Sequence, residues 1–271
     1  MESVTIKIAA ENTVRKEGLL AEHGLSFGIK IGTEEYLFDT GQSLVLAKNA
    51  RELGIDLSQL EGVILSHGHY DHGGGLSVIL AENPEVAIYA HPEVFVDRYS
   101  KRSGGLEFRG LEVSRQEIAN FVPTAVPTEI NDQLQAIGEV PRQNDWEVVP
   151  DKYRVKRNGE LIADDFRDDQ ALMLETRAGI VVVLGCTHAG VVNTLDYIQQ
   201  LTDKPINTII GGMHLINAPE ARIDKVADYL ANLEVERVIP LHCTGERAVF
   251  KLQQKIGINV ELAEVGTELN F

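Results

Sequence analysis

Between positions 67 and 72 the sequence His67-Gly68-His69-Tyr70-Asp71-His72 sets three imidazoles and a carboxylate within six residues, after the apolar run Val63-Ile64-Leu65 and before Gly73-Gly74-Gly75. In an extended segment side chains two apart point to the same side, so His67 and His69 can present ring nitrogens to one metal ion. Asp71 and His72, one turn further on, can serve a second ion nearby. Imidazole with carboxylate suits zinc, iron or manganese in a hydrolytic or redox centre, whereas structural zinc sites normally draw on cysteine. The bland alternative is a polar loop whose histidines are merely exposed. Four ligand-type residues packed this closely, with a strand before and a helix after, favour the metal.

The surrounding pattern supplies elements able to position that cluster. Val4, Ile6 and Ile8 alternate with Thr5 and Lys7, and residues 26–31 and 35–38 read similarly, so the chain starts as antiparallel strands. Leu44, Leu46, Ala47, Ala50 and Leu53 recur at roughly helical spacing, with Gly54 as the stop. Residues 62–65 fit a short buried strand that delivers the histidines at its C-terminal end. A helix then begins at Leu76, Ile79 and Leu80 and closes at Asn83-Pro84, and residues 86–89 return as a strand. From about 97 to 165 the periodicity weakens among Gly104-Gly105, Pro123, Pro127, Pro141 and Pro150, which predicts an insertion of short helices and strands over the active face.

Periodicity recovers at 171–175 and 180–184, a hairpin whose second strand runs into Gly185-Cys186-Thr187-His188. Val191, Val192, Leu195, Ile198 and Leu201 make one helix face. Strand 208–210 leads to His214, a helix through Ile223, Val226, Ala227, Leu230 and Leu233 follows, and strand 237–239 leads to His242. The recurring order is strand, histidine, helix. With no fixed-period repeat, no low-complexity segment and no separating linker, a single layered α/β domain over 1–271 is expected.

The totals narrow the partners. Lys+Arg 25 against Asp+Glu 41 gives a net charge of -16, which repels long nucleic acid and anionic membranes. No apolar run is long enough to span a bilayer, and Met1-Glu2-Ser3-Val4-Thr5 lacks the start of a signal peptide, so a cytoplasmic protein is expected, with a homo-oligomer left open. The two cysteines, Cys186 and Cys243, are too few for a disulfide framework.

Ser66-His67-Gly68-His69-Tyr70-Asp71-His72-Gly73-Gly74 resembles the His-x-His-x-Asp-His signature of the metallo-β-lactamase superfamily. That resemblance implies a four-layer αββα sandwich with a dinuclear metal site at its edge. Glu22-His23-Gly24-Leu25-Ser26, Phe38-Asp39-Thr40-Gly41-Gln42, Gly138-Glu139-Val140-Pro141-Arg142, Gly185-Cys186-Thr187-His188-Ala189-Gly190, Gly211-Gly212-Met213-His214-Leu215 and Pro240-Leu241-His242-Cys243-Thr244-Gly245 are similar to one branch of it. The branch is named for the 7,8-dihydropterin-6-yl-methyl-4-(β-D-ribofuranosyl)aminobenzene 5'-phosphate synthase. By this resemblance His67 and His69 hold the first metal, Asp71 and His72 the second, and His188 and His242 complete the two sites.

One departure stands out. Many superfamily members carry Gly-Asp-Thr where this chain has Gly185-Cys186-Thr187, so the usual bridging aspartate is missing. Cys186 could ligate, Asp165 or Asp169 could swing in, or a hydroxide alone could bridge. The last is preferred here, because a buried cysteine is more often an inert small apolar residue.

The leading functional expectation is a hydrolase with two divalent ions, zinc first and manganese or iron as alternatives. Such ions lower the pKa of bound water from 15.7 to roughly 7 and yield a hydroxide nucleophile. Asp71 would position it and shuttle its proton. The expected substrate is small, anionic and phosphorylated, since a cationic centre would attract it within an acidic protein. His214 is a candidate catalytic residue that touches substrate or hydrogen-bonds behind the ligands. His23, with Asn12, could orient substrate or hold a turn. Arg142 could meet a phosphate or form a surface ion pair. Asp39 is expected to hold a ligand or loop by hydrogen bonds, and His91 to cap a loop. The runner-up, from the resemblance alone, is a transferase condensing a dihydropterin diphosphate with an aminobenzene ribosyl phosphate. A third class is a non-catalytic or redox metal protein. Flavodiiron relatives of the superfamily typically carry glutamate where this chain has His69 and append a flavin domain, which argues against that version.

Overall fold

In the computed structural model, which describes residues 1–271 with the side chain of Ile258 excepted, the alternation at the N-terminus becomes β1 (Val4–Ala10), with Val4, Ile6 and Ile8 buried. β1 pairs antiparallel with β2 (Ser26–Ile31), and β2 with β3 (Glu34–Phe38). β4 (Gly62–Ile64), β5 (Ala87–Ala90) and β8 (Phe121–Pro123) extend this sheet in parallel from β3, while β17 (Glu268–Asn270) closes the other edge beside β1.

The second main sheet runs β16 (Arg237–Leu241), β15 (Ile206–Gly212), β14 (Gly179–Leu184), β13 (Ala171–Thr176), β10 (Leu134–Ala136), β9 (Thr128–Asn131). β13 and β14 form the expected hairpin, and β14, β15 and β16 are parallel.

Side-chain parity decides the layers. Val181 and Val183 of β14 point inward and pack with Phe27, Ile29, Leu172 and Leu174 between the sheets. Val182 and Leu184, one residue out of phase, point outward beneath α4 (Val191–Leu201), α5 (Glu220–Asn232) and α6 (Glu246–Ile256). On the far side Leu37, Val63 and Leu65 pack under α1 (Val45–Leu53) and α3 (Leu76–Glu82). The result is a four-layer αββα sandwich. α1 ends where the sequence predicts, because Gly54 takes the left-handed conformation at φ 69° and its N–H reaches the carbonyls of Ala50 and Arg51. Among the described residues no helix is long and apolar enough to cross a membrane.

The weakly patterned stretch 97–165 carries a third, four-stranded antiparallel sheet of β12 (Glu160–Ala163), β11 (Tyr153–Arg157), β6 (Arg98–Arg102) and β7 (Gly105–Phe108). It also supplies β8, β9 and β10 to the main sheets, so only its two ends, 98–108 and 153–163, form the added layer. Arg98, wholly buried, fastens that layer down: its Nε donates to Asp164 Oδ2 at 3.0 Å and its Nη2 to Asp168 Oδ1 at 2.6 Å.

Because β3, β4 and β5 run parallel in one sheet, and β14, β15 and β16 in the other, the loops leaving their C-terminal ends gather at one edge of the sandwich. Those loops begin at Asp39, Leu65, His91, Gly185, Met213 and His242.

Candidate metal centre

β4 ends at Ile64, and the next residues run extended until α2 (Tyr70–Gly73), a single turn that carries Asp71 and His72. Gly68 is required between the two first histidines, since a Cβ there would collide with the Val94 carbonyl and the Arg98 guanidinium. Its N–H donates to Asp168 Oδ2 at 2.7 Å, so the buried Arg98–Asp168 pair also braces the histidine loop.

From these loops, joined by His23 from the segment between β1 and β2, the fold assembles interlocking groups of donors whose ligand atoms lie within 4.8 Å of one another. They are His67, His69 and His188; His23, Asp71 and His242; His67, His72 and Cys186; and Cys186, His214 and Cys243. The first group joins the β4 loop to the β14 loop, and the second joins α2 to the end of β16.

The outward nitrogens of several rings are already engaged, which turns the opposite nitrogen toward the centre. His72 Nδ1 lies 2.6 Å from Asp39 Oδ2, His67 Nδ1 lies 2.9 Å from Ser66 Oγ, and His242 Nδ1 lies 2.9 Å from Asn12 Oδ1. This is the arrangement that fixes tautomer and ring orientation in metal-ligating histidines. His188 is the decisive test of fit. Both its ring nitrogens are buried without a hydrogen-bond partner among the described residues, yet the ring belongs to the His67–His69 group. A buried imidazole left unpaired is costly unless it has an acceptor for its lone pair, and a divalent cation satisfies that chemistry.

Electrostatics separates the two halves of the centre. Burial holds His67, His69 and His188 well below the ordinary imidazole value, keeping them neutral. Burial alone would also lower His72, but the Asp39 carboxylate beside it raises the ring to about 9. Burial would raise Asp71, yet hydrogen bonding with His23 (3.1 Å) and His242 (3.5 Å) keeps its carboxyl well below the usual carboxylate range. Burial pushes the Cys186 thiol up.

The backbone is strained here as well. Asp39, Phe166, Thr187, His214 and His242 have φ of 59°, 47°, 54°, 46° and 48°, and the other non-glycine residues at positive φ, Asn158 and Glu234, sit in turns elsewhere. Each such residue costs roughly 1–3 kcal/mol, and such costs concentrate where side chains must be aimed.

Of the candidate residues, His67, His69, Asp71, His72, His188 and His242 all meet at this edge. His23 stands at the exposed rim against Asp71, its ring 4.9 Å from that of His242. His214 packs on His188 with ring centroids 4.2 Å apart, and its Nε2 lies 3.2 Å from the Tyr153 hydroxyl. Arg142 is exposed and donates to the backbone carbonyls of His188, at 3.4 Å, and Asp165. Asp165 faces Arg157 at 2.6 Å, away from the donor groups, and Asp169 accepts from the Ala189 N–H at 3.0 Å; neither belongs to those groups. His91 caps a short turn by accepting the Glu93 N–H at 3.1 Å.

Several residues of the centre carried no sequence signal. Phe166 stacks on His188 at 3.8 Å between centroids, and Tyr153, from the added sheet, lies against His69, His188 and His214. Glu11 accepts the His242 N–H at 2.7 Å. These contacts join positions far apart in the chain, which no local pattern marks.

Comparison with known proteins agrees with this geometry. The family model of the Metallo-beta-lactamase superfamily matches residues 21–197. An uncharacterized protein of Methanocaldococcus jannaschii, MJ0448, is 29% identical over 255 residues, covering 92% of this chain and 94% of its own. The 7,8-dihydropterin-6-methyl-4-(beta-D-ribofuranosyl)-aminobenzene-5'-phosphate synthase of the same organism is 28% identical over 267 residues, covering 93% and 90%. The solved structure of Tm1679, described as a metal-dependent hydrolase of the beta-lactamase superfamily, superposes with a TM-score of 0.85 at 32% identity over 98% of each chain.

Proposed function

The chain belongs to the metallo-β-lactamase superfamily, and from that premise we propose that it is a metal-dependent hydrolase with a dinuclear centre, acting on a small anionic, phosphorylated substrate. The observation that carries this reading is the convergence of His67, His69 and His188 beside Asp71, His72 and His242 on one edge. The first three would hold one divalent ion and the second three another, zinc being the first candidate and manganese or iron the alternatives. When bound, the ions would supply Lewis acidity and acidify water from a pKa of 15.7 toward about 7.

The protein's own groups do the rest. Asp71, kept ionised and steadied by His23 and His242, is set to orient a nucleophile. His214, its Nε2 within hydrogen-bond reach of the Tyr153 hydroxyl, is set to hold a proton for the leaving group. The rings of Phe166 and Tyr153 keep water away from His188 and His69. Arg142, exposed at the rim and tied to the His188 carbonyl, offers a guanidinium to a phosphate. A cavity of about 620 Å³ shares His242 and Asn12 with the centre and is lined further by Arg15, Ile216 and Phe250, room for the part of a substrate beyond its phosphate.

The test is a panel of phosphomonoesters, phosphodiesters and carboxyesters offered to protein loaded in turn with zinc, manganese and ferrous iron. Phosphate-ester hydrolysis that disappears with chelator and in Asp71→Asn supports the reading. Inactivity across every substrate and metal overturns it.

One finding favours a second reading: the relative named a synthase matches over 93% of this chain. In that case the centre would bind the diphosphate leaving group as a dihydropterin diphosphate condenses with an aminobenzene ribosyl phosphate. Appearance of the condensed mass from those two compounds, with no hydrolysis on the panel, selects this reading. A protein that binds metal but turns over neither set would instead be a non-catalytic or redox metal protein.

A further inference from the structure

We propose that Cys186 is a metal ligand, its thiolate sulfur completing the donor set of His67 and His72 at the centre. The inference rests on the dinuclear reading for its ions and not on which reaction they serve.

Three observations point to this side chain. First, Cys186 Sγ groups with His67 and His72, one ring from each half of the centre, with all three ligand atoms within 4.8 Å of one another. Second, the approach is aimed. His72 is fixed by Asp39 on Nδ1, and the nitrogen left over, Nε2, lies 3.1 Å from the sulfur. Third, the backbone is built to put the sulfur there. Gly185 lets the end of β14 press against Ser66, where any Cβ would collide with the serine side chain. Thr187 then takes φ 54° and donates its hydroxyl to the carbonyls of Cys186, at 2.7 Å, and Gly212, at 3.0 Å.

The competing view treats Cys186 as a small apolar filler. A filler cysteine sits among aliphatic side chains, but the groups that share clusters with this sulfur are His67, His72, His214 and Cys243. Cys243 is the weaker candidate, because its sulfur accepts the His214 N–H at 3.2 Å and lies 3.7 Å from the Cys186 carbonyl, both backbone contacts. As the sulfur–metal bond forms, the thiol proton leaves to solvent and no electrons change hands. A soft donor at the centre of an otherwise imidazole and carboxylate set biases selection toward zinc and ferrous iron and away from magnesium and calcium.

Cobalt(II) substitution tests the assignment without any substrate. The full-length protein and its Cys186→Ser, Cys186→Asp and Cys243→Ser variants are loaded with cobalt, the bound ions are counted, and the near-ultraviolet thiolate-to-cobalt charge-transfer band is recorded. Expected are two ions and the band in the wild type and in Cys243→Ser, loss of the band to background in Cys186→Ser, and two ions without the band in Cys186→Asp. A band that survives in Cys186→Ser, or two wild-type ions with no band, overturns the cysteine assignment alone. Wild-type protein that takes up fewer than two ions overturns the dinuclear reading and this inference with it.

Discussion

Asp39 Oδ2 lies 2.6 Å from His72 Nδ1 with both side chains wholly buried, while the other carboxylate oxygen, Oδ1, accepts the Ser66 N–H at 2.7 Å. One carboxylate thus aims a ligand ring and pins the loop that carries the others. Asp39→Asn is expected to weaken metal binding by about 10–100-fold, the usual cost of losing such an outer partner, read by competition with a chromophoric chelator. Asp39→Ala should in addition lower stability by roughly 1–3 kcal/mol, because the buried Ser66 N–H loses its acceptor. Unchanged affinity in both variants would exclude His72 as a ligand.

Removing Arg98 strands two buried carboxylates, Asp164 and Asp168. Arg98→Met is expected to cost about 3–5 kcal/mol in urea unfolding. Adding Asp168→Asn should recover part of that loss, since an amide oxygen can still accept the Gly68 N–H. If the double variant is no more stable than the single one, the pair is not what braces the histidine loop.

In chelator-treated protein, stability should fall as pH drops from 7 to 5. Burial keeps His67, His69 and His188 well below 6.5 in the fold, whereas the unfolded chain returns them to that value. Below about 6.5 the unfolded state therefore binds protons that the folded state refuses, and the stability present above that pH is lost as pH falls. His72 works oppositely: raised to about 9, its contribution is complete below 6.5 and fades as pH rises through 9, so it leaves the acid limb almost untouched. Asp168 and Asp169, which burial pushes up to about 7 and about 6, gain protons in the fold over the same range and offset part of that loss. Urea midpoints at pH 7, 6 and 5 that rise would contradict the assignment of these three rings as buried and neutral.

His214→Ala is expected to reduce kcat by about 10²-fold or more on any substrate the protein turns over, the scale of a lost proton-transfer group. Tyr153→Phe, which keeps the ring against His188 but removes the hydroxyl near His214 Nε2, should shift the pH dependence of kcat with a smaller loss of rate. Equal KM increases with kcat intact in both variants would assign the pair to substrate binding alone.

Metal removal should lower the thermal midpoint, and restoring free zinc to about 1,000 times its Kd should return about 4.1 kcal/mol per site. The measurement is a thermal melt at stepped zinc concentrations, and a midpoint that ignores zinc counts against any ion held by the His67, His69 and His188 group.

Much of this architecture is legible from local pattern. The alternation in β1 and the apolar run of β14 mark an antiparallel strand and the second strand of a hairpin, and both form as read. Six clustered positions expose the start of the centre because its donors are neighbours in the chain. The added sheet was opaque for a physical reason: β7 and β12 are exposed along their whole length, so they carry no alternation to detect. The supporting residues were opaque for another. Arg98 and Asp168 are 70 positions apart, and Glu11 and His242 are 231 apart; nothing but tertiary packing brings them together. The C-terminal α6 buries only Ala248 and Leu252, too few anchors to announce a helix.

His67 and His69 come from one sheet and their companion His188 from the other, and Asp71 and His242 divide in the same way. In polymer terms any ion they share is a crosslink closing loops of about 120 and about 170 residues, and each doubling of such a loop adds only about 0.6 kcal/mol to its closure. The face-to-face packing of the sheets already holds those loop ends together, so capture of an ion orders little additional chain. A backbone cut in the exposed run near Arg142 would leave each fragment with half of the donors. Neither half could then build the centre until the two fragments re-associated, β10 pairing again with β13 and β17 with β1, which makes ion capture a readout of the reassembled whole.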